Sequence, residues 1–204
     1  MQARGRPRRI DDEMLIAGYQ RVSLHMGPTA WTLADVASEA GVVAGTLAQR
    51  FGSKRGLMVA ALRHEIEELS ARVAVVREYQ TSSIDGLRRL VQDLVAGIET
   101  PGMMANSIAL LHVELSDPEL RPVVQEYVRA IEQGMAAFVI SSEAAGELRI
   151  EDAQSVAKSV YTAYSGALVT YAIHGEGQIG AWVWAAIDSV LTPYRGSYPS
   201  TSSG

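Results

Sequence analysis

Thr32-Leu33-Ala34-Asp35-Val36-Ala37-Ser38-Glu39-Ala40-Gly41-Val42-Val43-Ala44-Gly45-Thr46-Leu47-Ala48-Gln49-Arg50 is the stretch that decides the fold. It reads as two short helices joined by a tight turn. Counted from Leu33, the fifth residue is Ala37, small enough for two helices to cross, and the ninth is Gly41, which lets the chain turn. Val36, Ala40, Val42 and Leu47 supply the apolar contacts that lock the helices at a steep angle. Thr32 is placed to cap the first helix, and Asp35, three residues on, completes a capping box. The second helix, over about 43–51, then presents Ala44, Gly45, Thr46, Gln49 and Arg50 outward. Gln can pair with adenine and Arg with guanine in the major groove of DNA, and Thr can reach a base or a phosphate. On spacing alone, a helical hairpin without a ligand would look the same.

What lies on either side favours nucleic acid. Upstream, Arg4-Gly5-Arg6-Pro7-Arg8-Arg9 sets four arginines (Arg4, Arg6, Arg8 and Arg9) in six positions, with Gly and Pro opposing helix formation. An extended cationic strand of this kind fits the narrow minor groove, where negative potential concentrates. Downstream, in Phe51-Gly52-Ser53-Lys54, Ser53 is placed to cap a third helix, and Lys54 adds a cation in its first turn. The charge follows the same division. Up to Glu65 there are nine Arg and Lys against six Asp and Glu, and beyond it nine against seventeen, so a balance of +3 precedes one of −8 within the net −5. A basic head on an acidic body implies that only the head meets a polyanion.

The run Thr32 to Ala37, then Glu39-Ala40-Gly41-Val42, Gly45-Thr46-Leu47, Phe51-Gly52-Ser53-Lys54 and Leu57 resembles the DNA-binding domain of the tetracycline-repressor-like (TetR) family, over roughly residues 10–62. The resemblance implies a homodimeric, all-α transcription regulator that represses from a palindromic DNA operator and binds a small molecule in its C-terminal body. It implies DNA-backbone roles for Thr32 and Lys54, and groove-facing roles for Thr46 and Gln49. Two positions depart from the family's pattern. Val43 stands where a capping Ser or Thr is usual, and Ala48 where an aromatic phosphate contact is common; Arg50 is expected to supply the missing backbone contact.

The rest of the 204 residues reads as helix nearly throughout, with apolar residues three and four apart and no sustained alternation. Gly27-Pro28 closes a helix from about Ile10 to His25. Pro101-Gly102 breaks the chain after Glu99, Asp117-Pro118 opens a long helix that Gly146 ends, and Gly175-Glu176-Gly177 separates the last two. About nine helices result. The expected organisation is a basic arm over 1–9, a three-helix helix-turn-helix domain over 10–64, an effector-binding and dimerisation domain over 65–195, and a disordered tail over 196–204.

Two body helices, from about Glu151 to Ile173 and from Gln178 to Tyr194, are apolar on most sides and so need cover on most sides. A partner subunit is the economical cover, with Val160, Ala163, Tyr164, Ala167, Trp182, Ala186 and Val190 as interface residues of a four-helix dimer seam. Between Gly102 and Ala145, Met103, Met104, Ile108, Leu111, Tyr127, Met135 and Phe138 suit an apolar effector cavity, with Asn106, His112 and Tyr161 as polar anchors.

Enzyme chemistry finds little footing. The chain has no cysteine, and His25, His64, His112 and His174 form no pair at metal-binding spacing. No nucleophile elbow or phosphate-cradling loop occurs. Glu114 and Asp117 flank Ser116 near His112, but Asp117-Pro118 reads as a helix start. No cofactor or metal is called for. The longest uncharged run, Ser159 to Ile173, is short for a membrane span, and acidic residues rather than an apolar run follow the basic arm. The expectation is a cytoplasmic regulator with no membrane partner. The alternatives are an architectural DNA binder acting through its arm without sequence preference and, further off, a helical enzyme.

Overall fold

The computed structural model describes residues 11–79 and 82–195. The arginines of the arm (Arg4, Arg6, Arg8 and Arg9) and the tail over 196–204 lie outside the described residues. Nine α-helices and one short 3₁₀ turn, Thr192–Tyr194, make up the described chain, which has no strand. The head holds α1 (Asp12–Met26), α2 (Leu33–Glu39) and α3 (Ala44–Phe51). The body holds α5 (Ser83–Leu94), α6 (Pro101–Ser116), α7 (Arg121–Ala144), α8 (Ala153–His174) and α9 (Ile179–Leu191). Joining them is α4 (Lys54–Tyr79), whose 26 residues span about 39 Å.

Local chemistry sets the ends of these helices. Thr32 and Asp35 form the expected capping box on α2, the Thr32 amide donating to Asp35 Oδ2 at 2.7 Å and the Asp35 amide to Thr32 Oγ1 at 3.3 Å. Gly41, at φ 68°, makes the turn between α2 and α3 in a conformation that a side chain would oppose. The Ser53 hydroxyl accepts from the Gly56 amide at 3.0 Å and so caps α4. Asp117 ends one helix and prepares the next: α6 stops at Ser116, the Asp117 carboxylate accepts from the amides of Glu119 and Leu120, and α7 begins only at Arg121. The turn at Gly146 carries Glu147 onto the start of α5, where its carboxylate accepts from the amides of Ser83 and Ile84 and from the Ser82 hydroxyl.

Two apolar cores result, and they do not divide at a single point of the sequence. The head core gathers Leu15, Tyr19, Trp31, Val36, Leu47 and Leu57, but also takes Leu120 and Val124 from the start of α7. The body core packs α4, α5, α7, α8 and α9 around Leu69, Leu90, Met135, Phe138, Val160 and Ile187. Asn106 of α6 adds a polar tie, donating through Nδ2 to the Leu24 carbonyl at 2.8 Å near the end of α1. Head and body are thus joined at α4, at the α6–α7 corner and at the end of α1.

Packing within the body is close. A Cβ on Gly86 of α5 would lie 2.5 Å from Cε1 and 2.8 Å from Cδ1 of the Phe138 ring, which is itself buried. Gly86→Ala is therefore expected to lower stability by about 1–3 kcal/mol, with Gly86→Ala, Phe138→Leu recovering part of the loss. Urea unfolding measures both, and an unchanged midpoint in the single variant would contradict this packing.

Candidate functional site

The first candidate surface is the outer face of α3. Leu47 is fully buried and anchors the helix, while Ala44, Gly45, Gln49 and Arg50 are exposed and Thr46 is half-buried. The side chains of Thr46 and Gln49 make no hydrogen bond among the described residues, so their donors and acceptors are available to an incoming surface. At the start of α3, Val43 is 75% exposed and no side-chain cap is made, as its departure from the usual Ser or Thr leads one to expect. The Thr46 amide is taken by the Val43 carbonyl at 2.9 Å, and no side chain caps the amides of Ala44 and Gly45.

Three other residues expected at the DNA surface are partly engaged within the chain. Arg50 pairs with Asp12 of α1, and both side chains remain substantially exposed. The Thr32 hydroxyl donates to Asp35 Oδ2 at 2.7 Å as part of the cap. Lys54 turns inward more fully. Its Nζ donates to the carbonyls of Pro28 at 3.1 Å and Trp31 at 2.9 Å, and it lies 3.9 Å from the centre of the Trp31 ring. Partial burial lowers its pKa from the ordinary lysine value. Lys54 thus ties the α1–α2 loop to the start of α4, a role invisible in the sequence.

The second candidate site is a cavity of about 620 Å³ bounded by α1, α4, α6, α7, α8 and the turn that follows α5. Its size falls within the range of small-molecule sites. Of the ten residues expected around an effector, Met103, Met104, Ile108, Leu111, Tyr127 and Tyr161 line it. The other four do not. Asn106 is the tie to Leu24, His112 is exposed on the far side of α6, and Met135 and Phe138 are buried in the body core.

The sequence reading missed most of the polar wall. Gln20 of α1 donates to Glu65 of α4, which stands 3.9 Å from Arg72. Glu114 of α6 is only 6% exposed and lines the cavity, and its carboxylate makes no hydrogen bond or ion pair among the described residues. Burial pushes its carboxyl up to about 7. Tyr19, Tyr127 and Tyr164 border the same space, and burial drives each of their hydroxyls well above the ordinary tyrosine value. A signal for Glu114 was present: Met103, Ser107, Leu110 and Glu114 recur at helical spacing, so a carboxylate falls on the inward stripe of α6.

The third surface lies on α8 and α9, where the expected interface needs correction. Val160, Tyr164 and Ala167 are buried in their own chain's core, because that stripe of α8 faces α6, α7 and α9. Ala163, Trp182, Ala186 and Val190 are half-buried. The face that α8 leaves open carries Ser159, Thr162, Gly166, Val169, Thr170 and Ile173, with Val169 47% and Ile173 63% exposed. Ala181, Ala185 and Ser189 extend the open face onto α9. Small residues of this kind permit close approach of another helix pair.

The Ser116, His112 and Asp117 side chains do not assemble into a catalytic group. Ser116 Oγ donates to the His112 backbone carbonyl, not to its ring, and Asp117 is held by backbone amides and by Arg55 at 2.8 Å. No group of three or more His, Asp or Glu side chains is gathered as metal ligands, and no helix is long and apolar enough to cross a membrane, among the described residues.

Comparison with known proteins agrees with this geometry. Residues 18–61 match the family model for bacterial regulatory proteins of the tetR family. No curated protein matches the chain significantly. Among solved structures, a TetR-family transcriptional regulator from Agrobacterium tumefaciens is 18% identical, with a TM-score of 0.70 over 91% of this chain and 97% of that one. The transcriptional regulator FadR from Bacillus subtilis, solved in complex with stearoyl-CoA, is 15% identical, with a TM-score of 0.67 over 89% and 98%. SmeT, repressor of the Stenotrophomonas maltophilia multidrug efflux pump SmeDEF, is 16% identical, with a TM-score of 0.65 over 93% of each chain. The all-α fold is therefore shared along nearly the whole length.

Proposed function

We propose that this chain, whose residues 18–61 match the family model for bacterial regulatory proteins of the tetR family, is a homodimeric repressor released from its DNA operator by a small, largely apolar effector. The observation that carries this reading is the outer face of α3: unpaired Thr46 and Gln49 stand on a helix anchored by fully buried Leu47. Residues 10–64 read DNA in the major groove, assisted by the arm over 1–9, and residues 65–195 hold the effector and the partner subunit. Repression takes place on DNA in the cytoplasm. Two heads must sit about 34–36 Å apart, or a multiple of that, to reach both half-sites of a palindrome.

The cavity supports release by a ligand, because α1 and α4 both border it and both support the head. The Bacillus subtilis regulator, a neighbour of this fold, was solved with stearoyl-CoA, a molecule with a long apolar chain. An effector that binds the DNA-free spacing more tightly weakens operator binding, and by linkage DNA weakens effector binding by the same factor.

The test is direct. With an operator selected from random duplexes, Gln49→Ala is expected to cost about 1–3 kcal/mol of affinity and to relax preference at one base position. Arg50→Ala should weaken binding to all sequences alike. Unchanged affinity in a Gln49→Ala, Arg50→Ala variant would remove α3 from the interface. If random DNA competes as well as the selected operator, the protein is an architectural binder.

A further inference from the structure

An isolated carboxylate in an apolar cavity is costly, so its persistence calls for a partner of opposite charge. Around this cavity the other charges have partners. Glu65 has Arg72 at 3.9 Å and the Gln20 amide; Arg21 has Glu39 at 2.6 Å; Asp93 has Arg89 at 3.1 Å. His25 is turned to its own helix, with Nδ1 2.8 Å from the Arg21 carbonyl. Glu114 has none, although only 6% of it is exposed to solvent. Four tyrosines, Tyr19, Tyr127, Tyr161 and Tyr164, border the same cavity from α1, α7 and α8. None of their hydroxyls hydrogen-bonds to a protein group among the described residues. Glu114 lies close enough to Tyr19 and Tyr127 for its charge to hinder ionisation of both.

We propose that the effector is an amphipathic cation, whose ammonium or similar positive group sits against Glu114 among these tyrosines while its apolar part lies along Met103, Met104, Ile108 and Leu168. The proposal rests on the reading of the cavity as the effector site and narrows it to a chemical class. Carboxylate and aromatic faces both favour a positive group, and the aromatic contribution grows when water is excluded. An anionic head would meet Glu114 with like charge, and the two arginines of the lining, Arg21 and Arg72, already face Glu39 and Glu65. A neutral ligand would offer the carboxylate a hydrogen bond but no compensating charge. Binding a cation also draws Glu114 back toward an ordinary carboxylate, so uptake of the ligand releases a proton near neutral pH.

Three probes of equal chain length separate the possibilities: decyltrimethylammonium, decanol and decanoate, titrated calorimetrically into the full chain below their micellar concentrations. At about pH 8 the cation is expected to bind at least about ten-fold more tightly than decanol, and decanoate more weakly than either. Glu114→Gln should remove the preference for the cation while leaving decanol within about two-fold. Should that variant fail to fold, the wild type still decides. Its affinity for the cation should rise by about ten-fold between roughly pH 6 and pH 8, while that for decanol stays level. Decanol binding with no preference for the cation would overturn the charge assignment and leave the cavity reading intact. Failure of all three probes to bind would overturn both.

Discussion

Gly166→Arg is expected to leave the protein monomeric at micromolar concentration and to lower operator affinity by about 100-fold or more, since each head would then bind its half-site alone. The position allows a clean test. Gly166 is exposed on α8, and a Cβ built there meets nothing within 4 Å in the monomer. The variant should therefore fold as well as the wild type, with the same helical content. In a dimer formed by the open face of α8 and α9, the introduced guanidinium would be pressed between helices, where desolvation costs several kcal/mol. Sedimentation with and without the substitution reads the outcome. A wild-type monomer, or a Gly166→Arg variant that still dimerises, would show that Val169 and Ile173 are covered by something else.

Which stripe of α8 stays open was not legible in the sequence. The absence of charge after Lys158 marks α8 as apolar or uncharged around most of its circumference. It does not say which stripe meets the chain's own core. Val160, Tyr164, Ala167 and Tyr171 form one stripe at helical spacing, and Ser159, Thr162, Gly166, Val169 and Ile173 another. The larger side chains suggest an interface, yet they are what fills the interior, and the small ones remain outside. The same ambiguity divides α7. Val124, Tyr127, Val128 and Ile131 reach the cavity, whereas Met135 and Phe138, one to two turns further on, enter the body core. Periodicity gives a helix its stripes but not their neighbours.

The head was more legible because its chemistry is local. A capping box, a glycine turn and a buried Leu47 all depend on residues within a few positions of one another. What escaped there were tertiary ties: Lys54 to the carbonyls of Pro28 and Trp31, Arg50 to Asp12, and Asn106 to Leu24. Partners 23 to 82 residues apart leave no mark on a local pattern. Asn106 illustrates the consequence. A polar residue among apolar ones suggests a ligand anchor, but here it holds the end of α1 against α6, so it couples the cavity wall to the head without facing the cavity.

Glu114 sets the second large effect, a loss of stability as pH rises from about 5 to about 8. Its carboxyl titrates near 7 in the folded chain and near its ordinary 4.5 when unfolded. Below the lower value both states hold the proton, and stability is unaffected. Between the two values only the folded state holds it, so folding takes up a proton and stability falls with rising pH. Above the upper value the full penalty is present, about 3 kcal/mol. Asp35 and Asp117 act in the opposite sense, since hydrogen bonds from Thr32 and from the Glu119 amide hold their carboxyls below the usual range; their influence falls at lower pH. Tyr19, Tyr127 and Tyr164 stay neutral across the window, because burial raises all three. Urea unfolding at several pH values should therefore show a slope that Glu114→Gln flattens, leaving the variant the more stable protein near pH 8. An unchanged slope would mean that the carboxylate already has a partner in solution. A cation that fills the cavity should flatten the slope in the wild type and have no such effect in Glu114→Gln, because the charge it neutralises is gone.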